Sequence, residues 1–309
     1  MKRSMAAHIH PELRSAARLL PRRLSVGPRA LPLVRALFAL HGLRHTSSDV
    51  EVVTLACGPA VRLYRHAGSD RPAPALLWIH GGGYVMGSAR QDDELCLRFA
   101  RTLGIVVASV DYRLAPEHPY PAALDDCWSA LTWLASLPGV DARRVAIGGA
   151  SAGGGLAAAL AVLARDRGTV DPVLQLLVYP MLDDRTRAGP NSDHAHHLGW
   201  NEASNRFGWE SYLASTDPHV AVPARRASLD GLAPAWIGVG TLDLFHEEDL
   251  AYAQRLVTAG VACNVELVPG AFHGFDVAAP KAWVARKFFD NQCASLLTAF
   301  GATGQDERG

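Results

Sequence analysis

The sequence predicts an α/β fold in which a mostly parallel, eight-stranded sheet is covered by helices on both faces. Three observations lead to this class. Short runs rich in Val, Ile and Leu alternate with longer amphipathic segments through most of the chain. The apolar runs are continuous rather than alternating, which is typical of strands buried on both faces. With 309 residues, 49% of them hydrophobic, the chain can bury a core of that size.

Eight strands are predicted, each from a short apolar run that ends at turn residues. They are Val50–Leu55, Val61–Tyr64, Leu76–His80, Ile105–Val110, Val145–Gly148, Leu174–Tyr179, Ala235–Val239 and Val265–Val268. Five helices are predicted between the later strands because their apolar residues recur at helical spacing. They are Asp92–Arg101, Pro121–Leu137, Ala152–Arg167, Glu248–Ala259 and Lys281–Thr298. Strands separated by helices favour parallel pairing.

One long stretch, from about Asp184 to Leu232, has no strand pattern. It carries aromatic residues in a polar background rich in histidine: Trp200, Phe207, Trp209 and Tyr212. A structureless loop of this length is uncommon inside a compact domain. We therefore expect this insertion to form a lid or cap.

Charge and cysteine content limit the function classes. Thirty Lys and Arg residues balance thirty Asp and Glu residues, so the chain lacks the basic excess that nucleic-acid binding needs. No apolar run approaches the roughly 18 residues that span a bilayer. The cysteines are scattered without a C-x-x-C pair and predict reduced thiols in a cytoplasmic protein. They are Cys57, Cys96, Cys127, Cys263 and Cys293.

The strongest motif is the G-x-S-x-G sequence of Gly149–Gly153, which lies directly between a predicted strand and a predicted helix. This context is typical of a nucleophile elbow, in which a serine sits on a tight, strained turn. Glycines at 149 and 153 avoid a collision between a Cβ atom and the neighbouring backbone. The alternative is a phosphate-binding turn, but neither G-K-[ST] nor G-x-G-x-x-G is present. Ser151 is therefore the predicted nucleophile.

A second glycine cluster, His80-Gly81-Gly82-Gly83, ends the third predicted strand. Backbone N–H groups without side chains suit the stabilisation of a developing oxyanion. The amides of Gly82, Gly83 and Ala152 would form a three-donor oxyanion hole. A merely flexible loop is the alternative, and the elbow motif disfavours it. We expect His80 to order this loop.

A serine nucleophile needs a base and an acid that orients the base. His273 follows the last predicted strand, so it reaches the same edge of the sheet as Ser151. Asp243 follows the preceding strand, and the chain order Ser, Asp, His is that of a known class of triads. Asp183, one strand earlier, is the rival acid.

Other titratable residues are assigned different roles. His194, His196 and His197 make a metal site conceivable, but no matched carboxylate or cysteine accompanies them. His246 is expected on the surface at the start of a helix. Glu247, Glu248 and Asp249 are expected in its first turn, where the helix dipole favours negative charge.

These motifs resemble the hormone-sensitive-lipase-like branch of the α/β-hydrolases, which are bacterial carboxylesterases with an H-G-G-G oxyanion loop. Further matches extend from about residue 50 to residue 276: Asp111–Ala123, Tyr179-Pro180, Asp217-Pro218, Asp243-Leu244-Phe245 and Phe272–Phe275. Two positions depart from the family pattern, since Ala150 replaces a usual acidic residue and Leu244 a common proline. The Asp111–Ala123 block is expected to fix the turn between sheet and helix.

The resemblance implies an α/β-hydrolase fold with the triad Ser151, Asp243 and His273. It also implies a cap, so that residues 1–45 form the N-terminal part of the cap and 184–232 the cap insertion. Residues 46–183 and 233–309 then form the two parts of the catalytic core.

The resemblance further implies a serine carboxylesterase that hydrolyses short-chain or aryl esters through an acyl-enzyme on Ser151, with no cofactor and no metal. An apolar pocket is expected around the following residues, although several of them could instead belong to the core: Tyr84, Met86, Leu182, Phe207, Phe245 and Phe275. Alternatives are an amidase or carbamate hydrolase on the same triad, or a non-catalytic ligand receptor. The expected partner is a small-molecule ester, with no nucleic acid and no stable membrane association; a homodimer stays open.

The N-terminal 45 residues carry nine Lys and Arg residues and one acid, Glu12, so they have a charge of +8 against −8 for the remainder. Leu33, Val34, Leu37, Phe38 and Leu40 recur at helical spacing after Pro32, and Leu13, Ala17 and Leu20 form a shorter stripe. A basic amphipathic helix on a membrane surface is one interpretation. We favour the other, a cap helix whose apolar face lies over the active site while its arginines meet the acidic body.

Overall fold

The computed structural model describes residues 8–20, 25–42, 50–56, 58–65, 72–187 and 197–302. Eight strands form one sheet in the order β1-β2-β4-β3-β5-β6-β7-β8. They are β1 (Val50–Thr54), β2 (Ala60–Tyr64), β3 (Ala73–Ile79), β4 (Val106–Asp111), β5 (Val140–Ala150), β6 (Gln175–Val178), β7 (Ala235–Gly240) and β8 (Cys263–Val268). Strand β2 pairs antiparallel with β1 and β4, and the other neighbours are parallel. The predicted fold class is confirmed.

The described helices cover both faces of this sheet and contribute the segments outside it. They are α1 (Arg14–Leu19), α2 (Leu31–Gly42), α3 (Asp93–Leu103), α4 (Ala122–Ser136), α5 (Ala152–Arg167), α6 (Glu202–Leu213), α7 (Pro218–Ala221), α8 (His246–Thr258), α9 (Phe275–Ala278) and α10 (Trp283–Ala302). Short 3-10 turns occur at Pro11–Leu13, Ala89–Asp92 and Pro223–Arg225. Helix α5 has the predicted limits, and the other four predicted helices are shifted by a few residues.

Strands β2, β3, β5 and β8 begin earlier than the apolar pattern indicates, and β5 differs the most. Strand β5 starts at Val140 instead of Val145, because Val140 pairs with Ala73 before a register shift leads into the regular ladder. Three of the four residues between Val140 and Val145 are polar: Asp141, Arg143 and Arg144. A hydrophobic pattern therefore cannot detect this part of the strand.

Each face of the sheet has its own core. Helices α4, α5 and α8 bury side chains such as Leu131, Leu160 and Leu256 against one face. Helices α3 and α10 bury Phe99 and Phe288 against the other. Burial on both faces explains why the strands are continuously apolar.

The N-terminal segment packs differently from the prediction. Leu13, directly before α1, and Ala17, within it, have 0% and 1% of their surface exposed and join the core of the α3 and α10 face. The amide of His10 donates to the carbonyl of Gly270, and Glu12 accepts a hydrogen bond from the amide of Val284. Placing this first stripe over the active site was therefore wrong, because it completes the core of the domain.

Helix α2 buries only part of its apolar surface. Leu31 and Val34 are buried, whereas Leu33 and Leu37 are 67% and 56% exposed. Arg35 forms a bidentate ion pair with Glu117, as expected for an arginine that meets the acidic body. No described helix is long and apolar enough to span a bilayer.

Among the described cysteines, Cys96, Cys127 and Cys293 are buried thiols and Cys263 is partly buried. Burial raises the pKa of Cys263 to about 11 and that of Cys293 to about 12. These thiols are therefore protonated near neutral pH. Cys57 lies outside the described residues.

Candidate active site

Ser151 lies on the turn between the end of β5 and the first residue of α5. Its backbone has φ 56° and ψ −120°, a strained conformation for a residue with a side chain. The glycines on either side permit this turn: a Cβ on Gly153 would lie 2.0 Å from the carbonyl oxygen of Ile79, and one on Gly149 would lie 2.5 Å from Gly153. The collision expected from the motif spacing is confirmed by this geometry.

The structure brings Ser151, His273 and Asp243 together. Nε2 of His273 lies 3.0 Å from Oγ of Ser151, and Nδ1 lies 2.9 Å from Oδ2 of Asp243. The three residues follow β5, β8 and β7, which are parallel, so their loops meet at one edge of the sheet. The Asp243 side chain has no exposed surface, and that of His273 is 10% exposed. This arrangement can transfer a proton from the serine hydroxyl to the imidazole.

Two aromatic rings hold the imidazole from the side. Phe245 lies edge-on to His273 with ring centroids 5.1 Å apart, and Tyr179 lies 4.8 Å away. The hydroxyl of Tyr179 donates to Oδ1 of Asp276, three residues after the histidine. In the sequence Tyr179 is visible only as a family motif, so its contact with the imidazole was missed.

The rival acid Asp183 has different partners. Both of its carboxylate oxygens accept hydrogen bonds from the side chain of Arg185. Although burial acts to raise the pKa of Asp183, the hydrogen bonds from Arg185 bring it below its usual value. No hydrogen bond connects Asp183 with His273 in the described part of the chain.

The oxyanion loop follows β3 with positive φ values, 129° at Gly82 and 59° at Gly83. Within the described residues, the amides of Gly82, Gly83 and Ala152 donate to no protein acceptor. Ala152 is the first residue of the 16-residue helix α5, where the helix dipole favours negative charge. The three amides are therefore available to an oxyanion.

The loop is fixed by the Asp111–Ala123 block, which does more than form the expected turn. The hydroxyl of Tyr112 donates to the carbonyl of His80, and the two rings stack with centroids 4.1 Å apart. The amide of Ala115 donates to the carbonyl of Tyr84. Since these bonds reach both ends of the glycine cluster, the block supports the backbone of the predicted oxyanion donors.

His80 has no exposed surface. Its Nδ1 lies 2.8 Å from the carbonyl oxygen of Gly81. Burial lowers the pKa of His80, so the ring stays neutral at physiological pH. These contacts suit a residue that orders the loop.

The residues expected around the pocket differ in exposure. Leu182, Phe245 and Phe275 have no exposed surface, Tyr84 has 2% and Met86 7%, while Phe207 is partly exposed. Phe275 packs on Phe288 in the core of the α3 and α10 face. The structure thus favours the core alternative for Leu182 and Phe275, whereas Phe245 contacts His273 at the site.

The first turn of α8 is buried more deeply than its sequence indicates. His246, Glu247 and Asp249 begin the helix as expected, but the Asp249 side chain is fully buried and Glu248 is 7% exposed. Oε1 of Glu248 accepts hydrogen bonds from the amides of Leu182 and Asp183. Burial raises the pKa of both carboxyls. Glu248 therefore anchors the segment after β6.

Two of the histidines considered for a metal site, His194 and His196, lie outside the described residues, whereas His197 lies within them. Over the described ranges, no three His, Cys, Asp or Glu side chains form a group that could hold a metal ion.

Comparison with known proteins gives the same picture of the fold. A family model described as the alpha/beta hydrolase fold matches residues 76–277. Esterase LipI of Mycobacterium tuberculosis is 37% identical over 243 residues, which are 74% of this chain and 75% of the relative. Ethyl acetate hydrolase of Pseudomonas putida is 38% identical over 227 residues, covering 70% of each chain. The crystal structure of esterase LipW from Mycobacterium marinum superposes with a TM-score of 0.85 at 36% identity, covering 96% of this chain and 98% of that one.

Proposed function

Because the chain belongs to the α/β-hydrolase family, in its hormone-sensitive-lipase-like branch of bacterial carboxylesterases, we propose that its esterase reaction proceeds through an acyl-enzyme on Ser151. The observation that carries this proposal is the continuous contact from Asp243 through His273 to Ser151. The amides of Gly82, Gly83 and Ala152 would supply the second requirement of acyl transfer, the stabilisation of the oxyanion.

In the proposed reaction, Oγ of Ser151 attacks the ester carbonyl while Nε2 of His273 takes the hydroxyl proton. The carbonyl oxygen becomes an oxyanion that accepts hydrogen bonds from Gly82, Gly83 and Ala152. His273 returns the proton to the leaving alcohol, which leaves the acyl group on Ser151. Water then attacks the acyl-enzyme with His273 again as the base; the bond from the acyl carbon to Oγ breaks, His273 returns the proton to Oγ of Ser151, and the carboxylic acid departs.

The proposed substrates are esters of short acyl chains or of aryl alcohols. Tyr84 and Leu182, two apolar residues expected near the site, expose almost none of their surface. Little of this apolar surface is therefore accessible to a substrate. Tyr84 stacks on Tyr212 of α6 with ring centroids 4.2 Å apart, which restricts the space for a long chain. The similarity to an ethyl acetate hydrolase supports the same substrate class.

A panel of 4-nitrophenyl esters and matched 4-nitroanilides tests this function. We expect kcat/KM to be highest for acyl chains of about two to eight carbons, because a finite pocket excludes longer chains. The anilides should react far more slowly. Faster hydrolysis of the anilides would favour the amidase alternative, and no turnover of any ester would favour a ligand receptor.

The domain limits, the cellular location and the cofactor requirement of the protein are proposed as follows. We infer a catalytic core of residues 46–183 and 233–309, covered by a cap from residues 184–232 and by part of residues 1–45. The buried thiols Cys96, Cys127 and Cys293 support a cytoplasmic location. The reaction requires no cofactor, because the triad and the amides supply its acid–base and electrostatic parts.

A further inference from the structure

The Gly199–Trp200 segment of the cap touches both loops that carry the proposed reaction. A Cβ built on Gly83 would lie 2.2 Å from Cη2 of Trp200, so the indole ring packs directly on the oxyanion loop. A Cβ on Gly199 would lie 2.5 Å from the carbonyl oxygen of His273 and 3.6 Å from its Cβ. Two consecutive residues therefore bridge Gly83 and His273.

The position of this bridge is fixed locally. Gly199 has a φ of 83°, a backbone conformation that favours glycine. Trp200 is 5% exposed, and its indole Nε1 donates to Oδ1 of Asn205. A Cβ on Gly208 of α6 would lie 2.6 Å from the carbonyl oxygen of Gly83, so the helix lies against the same loop. The indole is a rigid wall rather than a mobile side chain.

Residues 25 and 26 of the N-terminal segment form hydrogen bonds with the start of α6, next to Trp200. The amide of Val26 donates to Oγ of Ser204 at 2.8 Å, and the hydroxyl of Ser25 donates to Oδ1 of Asn201. Asn201 caps α6 by accepting from the amide of Ser204. The first turn of α6, which follows Trp200 directly, is thus tied to residues 25 and 26.

We propose that Trp200 determines specificity for the alcohol part of the ester; this inference rests on the proposed function. In the tetrahedral intermediate the oxyanion faces Gly83, and the leaving oxygen faces Nε2 of His273, which protonates it. The acyl chain takes the remaining direction. Because Gly199 and Trp200 contact His273 and Gly83, the Trp200 indole borders the space for the leaving alcohol. It therefore limits the size of the alcohol that can bind.

The test compares Trp200→Ala with Trp209→Ala. Trp209, on α6, is 2% exposed and packs on Tyr84 with ring centroids 5.0 Å apart. Trp209→Ala therefore removes a similarly buried indole from the same cap and is a matched control. For Trp200→Ala we expect the kcat/KM ratio of cyclohexyl acetate to ethyl acetate to rise about tenfold or more, since a single methylene group in a pocket changes kcat/KM by about tenfold or more. The ratio of 4-nitrophenyl butyrate to octanoate should stay unchanged, and Trp209→Ala should not raise the alcohol ratio.

The burst kinetics of 4-nitrophenyl acetate provide a second measurement. The alcohol has left before deacylation begins, so Trp200→Ala should change the deacylation rate constant by a much smaller factor than the alcohol ratio. If Trp200→Ala does not fold, Trp200→Leu should shift the alcohol ratio in the same direction by a smaller factor. A change in acyl-chain preference alone, or the same alcohol ratio in both Ala variants, would overturn the inference. If the ratio of methanolysis to hydrolysis in added methanol depended on the alcohol of the acetate ester, that result would instead count against a common acyl-enzyme.

Discussion

The carboxylate of Asp243 bonds to two partners that fix its orientation. Oδ1 accepts a hydrogen bond from the amide of Phe245 at 3.0 Å, and Oδ2 lies 2.9 Å from Nδ1 of His273. Because the Phe245 amide can only donate, the atom facing it must be an acceptor. An amide side chain at position 243 would therefore have to place its oxygen toward Phe245 and its nitrogen toward His273.

Asp243→Asn should consequently lose about 10⁴-fold in kcat, the scale seen when a triad acid is replaced by its amide. The new amide nitrogen would donate to Nδ1 of His273, so the ring proton would move to Nε2 and prevent it from accepting the serine proton. Steady-state kinetics with 4-nitrophenyl acetate measure the loss. The control is Asp183→Asn, whose carboxylate bonds to Arg185 and which should retain most of the activity. The reverse ranking would make Asp183 the triad acid.

Gly83→Ala should reduce kcat by about 10²–10³, the effect of losing one oxyanion donor. The added Cβ would collide with Trp200 at 2.2 Å and push the Gly83 amide away from the oxyanion. Gly104→Ala is a matched control, because Gly104 has a similar φ of 64° but no atom within 4 Å of the new Cβ. It should lose some stability and keep its kcat. Equal kcat values for the two variants would remove Gly83 from the oxyanion hole.

Asp92 should make the protein less stable as the pH rises. Burial, together with the charges of Asp276 and Asp93, raises the pKa of Asp92 from 3.8 to about 7, although Trp78 donates a hydrogen bond to it. Between these two values the folded protein keeps a proton that the unfolded chain releases. The free energy of unfolding contributed by Asp92 therefore falls from about pH 4 to pH 7 and is constant above.

Urea unfolding of the wild type and of Asp92→Asn over this pH range measures that contribution. The amide retains an oxygen for the Trp78 indole and cannot ionise. We expect the variant to gain stability relative to the wild type as the pH increases toward 7. A difference between the two proteins that does not vary with pH would contradict a raised pKa.

Leu13→Ala should lower the free energy of unfolding by about 2–5 kcal/mol, the cost of a cavity at a fully buried leucine. Leu33→Ala removes the same atoms from a side chain that is 67% exposed, so its effect should stay within about 0.5 kcal/mol. Denaturant melts compare the two. Equal effects would mean that the first N-terminal stripe is not part of the core.

The elements carried by strong local signals could be predicted from the sequence. The predicted and observed limits of helix α5 coincide; the elbow motif precedes its start, and in the structure it ends at Gly168, which has a φ of 64°. Ser151, His273 and Asp243 could be selected because each follows a continuous apolar strand. Parallel strands bring the loops at their carboxyl ends to the same edge of the sheet.

Contacts between segments distant in the chain could not be predicted in this way. Trp200 is separated from Gly83 by more than a hundred residues, and no periodicity relates them. The burial of Leu13 depends on a core face formed by α3 and α10, whereas a helical stripe alone also suits a cap. Glu248 resembles an ordinary first-turn acid until the amides of Leu182 and Asp183 are seen to donate to it.

The central claim is that the acyl group is carried by Ser151, and reaction with diethyl 4-nitrophenyl phosphate tests it most directly. This organophosphate transfers its phosphoryl group to an activated serine, and peptide mass spectrometry locates the product. We predict one diethylphosphoryl group per chain, on Ser151, with esterase activity lost in proportion to labelling. Ser151→Ala should be unlabelled and should lose at least about 10⁴-fold in kcat. Labelling at another residue, or full activity in a protein labelled completely at Ser151, would contradict the claim.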